Sequence, residues 1–447
     1  MLNKSSLNIL ICSKGNVRTI QNTVIFTLRI RFYRVSHRRK SISMKKILII
    51  TQYFYPENFK SNDIAFELAR RGHQVDALVG IPNYPEGKFY KGYGIFRKRH
   101  EVINGVNVYR AYQTPRGKGG WRLPFNYFSY VLFASIWILF KFVWKKKYDC
   151  VLVHEPSPIF QALPALLYKR IKKVPVYIWV LDMWPEAIVS SGGVKNKKIY
   201  TGVLKLVRHI YNHSDKILIS SRRFEDMIVE KGDYASKIIY FPNWSEDILA
   251  MNQEYDIPAL PDGFRVMIAG NLGKVQNLDA VGEVMKELRD TEVKWLIVGD
   301  GSKKAWLDGF IEENKLQDVA ITYGKYPFKA MPAFYKEADA LLVTLESGYR
   351  QLEAVVPARL QSYMSSGVPI LAMIGQGTRE LIEEADCGYA VPAGDYKALA
   401  QTIKEKVLPC KETFREKGAN GRAYYLKNFT LDKCITDLEN IIKNPTA

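Results

Sequence analysis

Cysteine is scarce in this 447-residue chain, and acidic residues are absent from its first 43 positions. The five cysteines (Cys12, Cys150, Cys387, Cys410, Cys434) are odd in number and scattered. They form no Cys-x-x-Cys pair and no zinc spacing, which excludes a disulfide scaffold and a structural zinc and suits a reducing compartment. No Asp-x-Asp occurs, so no carboxylate pair offers itself to a metal–diphosphate complex. No His-Glu-x-x-His and no Ser-His-Asp order appears either, which argues against a zincin or a nucleophilic triad. His73, in Arg-Gly-His-Gln-Val, reads as a solvent-facing residue at a helix end. Proline and glycine are ordinary, so collagenous and low-complexity readings fail. An apolar fraction of 47% with 13% aromatic residues excludes a disordered chain. No apolar core followed by a small-residue cleavage site marks a signal peptide.

What is present is charge, unevenly placed. Residues 1–43 carry +9, residues 44–263 carry +12 and residues 264–447 carry −1. One half of the folded part is basic and the other neutral, which points to an anionic partner on the first half. The leader holds Arg-Ile-Arg-Phe-Tyr-Arg at 29–34 and shows no hydrophobic repeat. Met44 then opens Met-Lys-Lys-Ile-Leu-Ile-Ile, which reads as the start of a buried strand. We read 1–43 as a non-native or disordered basic extension; a basic, acid-free leader also fits a transit peptide.

Residues 47–51 are a continuous apolar run, as expected for a strand buried on both faces. A polar loop follows over 52–62, a helix is predicted over 63–71 and a strand over 75–79. This order opens a parallel sheet with right-handed crossovers. Further strands are predicted at 151–153, 176–180, 216–220 and 238–241. A polar stretch, 246–263, reads as a linker. The alternation restarts with strands at 265–269, 294–298, 320–322, 340–345 and 370–373. The expected domains are therefore 44–245 and 264–412, both doubly wound α/β. A C-terminal segment, 413–447, would cross back over the first domain through a helix at 431–442. Two such domains facing each other enclose a cleft at the carboxyl ends of their strands.

Residues 127–144 form the longest apolar stretch, with one charge, Lys141, and with Lys145-Lys146-Lys147 following. A membrane span there would split the β-α-β series, so two readings stay open. One is a core helix. The other is a helix in the membrane interface, with aromatic residues at the acyl boundary and the lysines near headgroups. Residues 87–122 hold nine basic residues and one acidic, which favours the interface.

Three segments carry candidate chemistry. Gly270-Asn271-Leu272-Gly273-Lys274 follows a strand and leads to a helix, placing free N–H groups toward an anion, with Lys274 adding charge. Val298-Gly299-Asp300-Gly301 repeats the theme without the third glycine of a dinucleotide fingerprint. In the run from Pro357 to Pro369, Pro357 suits a first helical turn and Gly367 ends the helix, so Arg359 stands beside unpaired N–H groups. In the first half, Asp182-Met183-Trp184-Pro185-Glu186 follows an apolar strand and would line the cleft.

These segments, with Tyr55-Pro56-Glu57-Asn58 and the stretch from Gly80 through Asn83-Tyr84 to Gly87, resemble GT-B retaining glycosyltransferases of family 4. Within that family the chain is similar to the bacterial fucosamine and N-acetylamino-sugar transferases of O-antigen and capsule assembly. The resemblance covers about residues 44–440. The wider family places Arg and Lys where this chain has Asn271 and Val275. It places a Glu pair where this chain has Ala354 and Ser362; Glu353 and Gln361 share that spacing, shifted by one.

The resemblance implies two Rossmann-like domains facing a central cleft. It implies a UDP-sugar on the second domain, held by Gly270, Asn271, Gly273, Gly299, Gly301, Tyr326, Gln361 and Ser362, with Arg359 and Lys274 on the diphosphate. It implies a polyprenyl-diphosphate-linked acceptor on the first domain, near Asn58, Lys60, Asn83, Tyr84, Asp182, Trp184 and Glu186. No metal or other cofactor and no nucleic acid is expected, and the enzyme would sit peripherally on the cytoplasmic face of the bacterial inner membrane. Alternatives are another GT-B enzyme, such as a UDP-sugar epimerase, and a basic nucleic-acid-binding protein.

Overall fold

The computed structural model describes residues 44–117, 120–190, 196–251 and 254–444. The basic leader, 1–43, lies outside the described residues. The first sheet has eight strands: β1 Lys46–Ile50, β2 Gln74–Gly80, β3 His100–Ile103, β4 Val106–Ala111, β5 Cys150–Glu155, β6 Val176–Val180, β7 Lys216–Ile219 and β8 Ile238–Tyr240. Their order is β3-β4-β2-β1-β5-β6-β7-β8, parallel except for β3. Strands β5 and β6 are buried along their whole length, as central strands covered on both faces must be. The second sheet, β9 Phe264–Asn271, β10 Val293–Asp300, β11 Ala320–Gly324, β12 Ala340–Thr344, β13 Ile370–Ile374 and β14 Gly388–Pro392, runs β11-β10-β9-β12-β13-β14. In each sheet the chain reverses direction of growth beside the first strand, β1 or β9. Crevices therefore open beyond Ile50 and beyond Asn271.

Nine helices matter for the site: α1 Lys60–Arg70, α2 Arg122–Phe140, α3 Leu163–Lys172, α4 Lys197–His213, α5 Leu278–Glu287, α6 Arg359–Ser366, α7 Gln376–Glu384, α8 Lys411–Asn428 and α9 Leu431–Lys443. Residues Cys434, Ile435, Leu438 and Ile442 of α9 join the first domain's core with Ile47, Leu68 and Trp244. Helix α8 packs instead on the second domain, through Phe414 and Tyr425. His73, expected at the surface, is buried and lies 2.9 Å from Glu439 of α9. The returning helix covers that helix end and supplies a carboxylate.

Two other expectations change. The hairpin β3–β4 was not foreseen, because β3 is an edge strand whose residues alternate weakly. Its Asn104-Gly105 turn, with φ of 48° and 81°, was the available signal. The long apolar helix begins at Arg122, five residues before the apolar run, and stops at Phe140. Pro124 falls in its first turn, where no N–H partner is lost. Residues Phe142–Trp144 form a separate tight turn. Pro357 lies just before the cap of α6, and its carbonyl accepts from Leu360 N at 2.9 Å.

Candidate active site

On the second domain, the turn after β9 is built around Gly270. Its φ is +118°, and a Cβ there would lie 3.0 Å from the Arg359 guanidinium. Arg359 opens α6, and its Nη2 donates to the Asn271 carbonyl at 3.1 Å. The structure thus brings Gly270, Asn271 and Arg359 together, with the cation at the mouth of the crevice beyond β9. Lys274 is exposed in a tight turn, Lys274–Gln276, set between the glycines and α5. The N–H groups near it belong to that turn rather than to the long helix, which corrects the expected direct strand–glycine–helix passage. Gly273 is buried, with Asn271 Nδ2 only 2.7 Å from where its Cβ would stand.

Four residues expected at the donor also carry structural duties. A Cβ at Gly299 would fall 1.9 Å from the Gly270 carbonyl, and one at Gly301 would fall 2.4 Å from that of Leu272. Both glycines let the ends of β9 and β10 approach. Gln361 is 1% exposed, and its amide nitrogen, in the orientation that satisfies both ends, donates to Pro357 O and Ala358 O at 3.1 Å. It holds the first turn of α6. The buried Ser362 Oγ faces the Tyr335 hydroxyl. Tyr326 lies beyond β11, half-buried, with its ring 4.8 Å from that of Phe334.

On the first domain, Asp182, Trp184 and Tyr84 line a cavity of about 1240 Å³, and Val275, Gln351 and Leu352 bring the second domain to its edge. Gln351 Nε2 donates to Asp182 Oδ1 at 3.3 Å. Desolvation pushes the Asp182 carboxyl up to about 7. The neighbouring Glu155, fully buried at the end of β5, is held well above the carboxylate range by burial and by the Asp182 charge. His154 beside it is driven down to about 3 by burial, so it stays neutral.

The other expected acceptor-side residues do not reach this cavity. Asn58 is exposed outside it. Lys60 turns to Asp63, 3.4 Å away, and to the Trp244 ring. Asn83 is buried, donating to Ile81 O and accepting from Arg116 N at 3.0 Å. Glu186 pairs with the buried Lys231 at 2.8 Å. For Lys60, Asn83 and Glu186 a nearby polar partner within the first domain satisfies the side chain.

Sequence reasoning missed Glu57 and Arg116. Glu57 is buried and accepts from Asn83 N at 2.7 Å and Tyr84 N at 2.6 Å, tying two loops together. Burial pushes its carboxyl up to about 7. Arg116 lies over the Tyr84 ring, donates to Tyr53 Oη at 3.1 Å and lines the cavity. Its signal was hidden in a general basic excess. Much of that excess is internal: Arg110 is fully buried on Glu101, Arg99 serves the Arg110 carbonyl, and Lys145 binds Asp76 at 2.6 Å.

Helix α2 decides where the apolar stretch goes. Asn126, Tyr130, Ala134 and Ile138 form its buried stripe. Phe125, Leu132, Ile136 and Phe140 face out, with Trp121 and Trp144 at its ends, the last 82% exposed. Nearby, Arg99 stacks on Trp137 and binds the Ile95 carbonyl, which sets the 95% exposed Phe96 beside the exposed Lys91, Arg97 and Lys98. By length and composition 122–144 could cross a membrane. Its buried stripe instead ties it to the sheet.

The family described as "Glycosyl transferase 4-like domain" matches residues 61–244, and that described as "Glycosyl transferases group 1" matches 255–423. The chain belongs to the GT-B glycosyltransferases. WcaI of Escherichia coli, assigned as a colanic acid biosynthesis glycosyl transferase, is 25% identical over 67% of this glycosyltransferase and 75% of its own length. A GDP-mannose-dependent alpha-mannosyltransferase of Mycobacterium tuberculosis is 23% identical over 81% and 89%. Among solved structures, Anabaena HepE in complex with UDP superposes with a TM-score of 0.63 at 14% identity, covering 90% of this chain and all of its own. Sucrose-phosphate synthase of Thermosynechococcus elongatus superposes with a TM-score of 0.68 at 15% identity, covering 90% and 98%. The glycosyltransferase is thus similar to enzymes of polysaccharide biosynthesis.

Proposed function

We propose that this glycosyltransferase moves an N-acetylamino sugar, of the fucosamine kind, from a UDP-sugar to a polyprenyl-diphosphate-linked precursor of a bacterial surface polysaccharide, with retained configuration. The observation that carries the donor half is Arg359 lying over the Gly270–Asn271 turn, at the crevice beyond β9. In that place a guanidinium meets charge as it develops on a departing diphosphate, and Lys274 adds to it from the next turn. Loss of one such contact is worth ~2.7–4 kcal/mol, or about 10²–10³ in rate. No metal is needed when cations and N–H groups carry this charge. Asp182 and Trp184, across the cavity, face the acceptor sugar. The two domains touch through Gln351 and Asp182, and fuller closure over the donor would exclude water from it. The outward apolar face of α2 and the basic loop carrying Phe96 support peripheral attachment to the cytoplasmic face of an inner membrane, with nucleic acid playing no part.

The test is nucleotide release from a panel of UDP-sugars, with GDP-mannose alongside, with and without a polyprenyl-diphosphate-sugar and with and without EDTA. We expect acceptor-dependent UDP release that survives EDTA and an α-configured product from an α-configured donor. Release only with metal, an inverted product, or GDP-mannose as the sole donor would each overturn the corresponding part.

A further inference from the structure

The cavity is larger than the ~300–1,000 Å³ of ordinary small-molecule clefts, and it changes character along its length. At one end Arg116, Tyr53, Tyr84, Tyr127 and Asp182 stand close enough to act on one another's charge. One turn further along α2 the lining is Val131, opposed by Phe160 and Leu163 and by Val203 and Leu206 of α4. These five are half-buried side chains that pack on the core with one side and face open space with the other. Among the described residues Arg116 has no carboxylate partner. Phe128 lines the cavity and is 66% exposed, so the cavity's apolar wall runs without a break into the outward face of α2.

A fixed cation at one end, hydrocarbon walls beyond it and a lateral opening onto an apolar surface describe a ligand with an anionic head and a long apolar tail. We propose that the space between α2 and α4 holds the first isoprenoid units of the lipid-linked acceptor, drawn out of the bilayer past Phe128, while Arg116 meets its phosphates. This rests on the reading that the acceptor is lipid-linked. It adds that the enzyme binds the chain as well as the sugar. An apolar groove of this size left to water would be an exposed patch of the kind soluble monomers avoid. A hydrocarbon chain covers it, and the cation beside it selects a phosphorylated lipid alcohol.

Photocrosslinking tests this without requiring turnover. The full-length protein in detergent is irradiated with a benzophenone-bearing farnesyl diphosphate and the labelled peptides are read by mass spectrometry. We expect label on 127–131 and 199–206, displaced by undecaprenyl phosphate and not by phosphatidylglycerol. Val203→Trp and Leu206→Trp, which fill the groove from a half-exposed helix face, should each reduce that labelling about tenfold, with thermal unfolding unchanged. In the transfer assay the same variants should raise KM about tenfold for an isoprenoid acceptor and leave KM unchanged for an acceptor whose diphosphate carries only a methyl group. Label confined to Phe125, Leu132 and Phe140, or equal displacement by phosphatidylglycerol, would mean that the chain stays in the bilayer and would overturn the inference. So would equal KM values for isoprenoid and methyl acceptors in the unmodified enzyme, and transfer itself would then still stand. Labelling as expected with no UDP-sugar turning over would instead overturn the proposed donor while the lipid site remained.

Discussion

A Cβ added at Gly270 would stand 3.0 Å from Arg359 Nη2, so the second residue is as informative as the first. Arg359→Ala should lower kcat about 10²–10³-fold with little change in donor KM, as expected of charge stabilised mainly in the transition state. Gly270→Ala should do part of the same harm indirectly. Its φ of +118° strains any side chain by ~1–3 kcal/mol, and the added methyl pushes the guanidinium off the Asn271 carbonyl. A kcat lowered by ten to a hundredfold in Gly270→Ala, in steady-state transfer assays, would check that coupling, on the order of 1.4–3 kcal/mol. Glu57 offers a test by pH. Its carboxyl titrates near 7 in the fold against 4.5 in a free chain. Between those values the folded chain keeps a proton that the unfolded chain has released. The stability this group supplies is therefore full below pH 4.5, declines as pH rises to 7 and stays low above it, by ~3 kcal/mol in all. Glu57→Gln should flatten that part of the stability curve, measured by denaturant unfolding across the window. Arg359 was legible in the sequence because a proline before it and a glycine after it frame its helix. Glu57 was not, because its role depends on backbone N–H groups 26 and 27 residues away.

At the scale of elements, α2 has three faces: a buried stripe packed on the sheet, a wall of the cavity, and an outward strip of large apolar side chains. Composition alone could not separate these, because all three are apolar and the usual polar–apolar periodicity is missing. The exposure of Phe125, Leu132 and Phe140 separates them. Replacing these three with Ser should weaken partition onto anionic vesicles at least about 10²-fold, since each buried apolar side chain contributes ~1.5–3 kcal/mol. Thermal unfolding in solution should move little, because all three stand among the exposed side chains and none belongs to the core; co-sedimentation and calorimetry check both halves. The central strands of both sheets were readable as continuous apolar runs. The β3–β4 edge hairpin was not, because an edge strand needs only half a face of apolar residues. The lysines after α2 show the opposite error. Read as headgroup contacts, they divide, with Lys145 spent on Asp76 while Lys146 and Lys147 remain exposed.

At the scale of the molecule, the two sheets meet through a short polar seam. Arg222 pairs with Glu384 and Arg223 with Glu380, both on α7; Arg350 pairs with Glu230; and Ser221 Oγ donates to the Ala354 carbonyl. Each ion pair is substantially exposed, so each contributes little and is screened by salt. Such a seam suits a cleft that must open to exchange donor and product. Scattering should therefore show a larger radius of gyration in about 1 M salt than in about 0.05 M. Arg223→Ala with Arg350→Ala should reproduce the increase at low salt. No change in either would mean that apolar packing, not charge, fixes the two domains. The two-domain plan was legible from the restart of the strand–helix alternation after the polar stretch at 246–263. The seam was not, since its partners lie 120 to 162 residues apart.

The last helix has a consequence for how the chain is made. Cys434, Ile435, Leu438 and Ile442 complete a core whose other members end at Trp244. Arg71 and His73 find Asp432 and Glu439 only there. On the ribosome the first domain must wait, with an uncovered apolar strip, while the whole second domain is synthesised and released from the exit tunnel. The second domain can finish first, although it is translated last. A released chain truncated after residue 430 should therefore expose the first domain, and not the second, to chaperones and proteases.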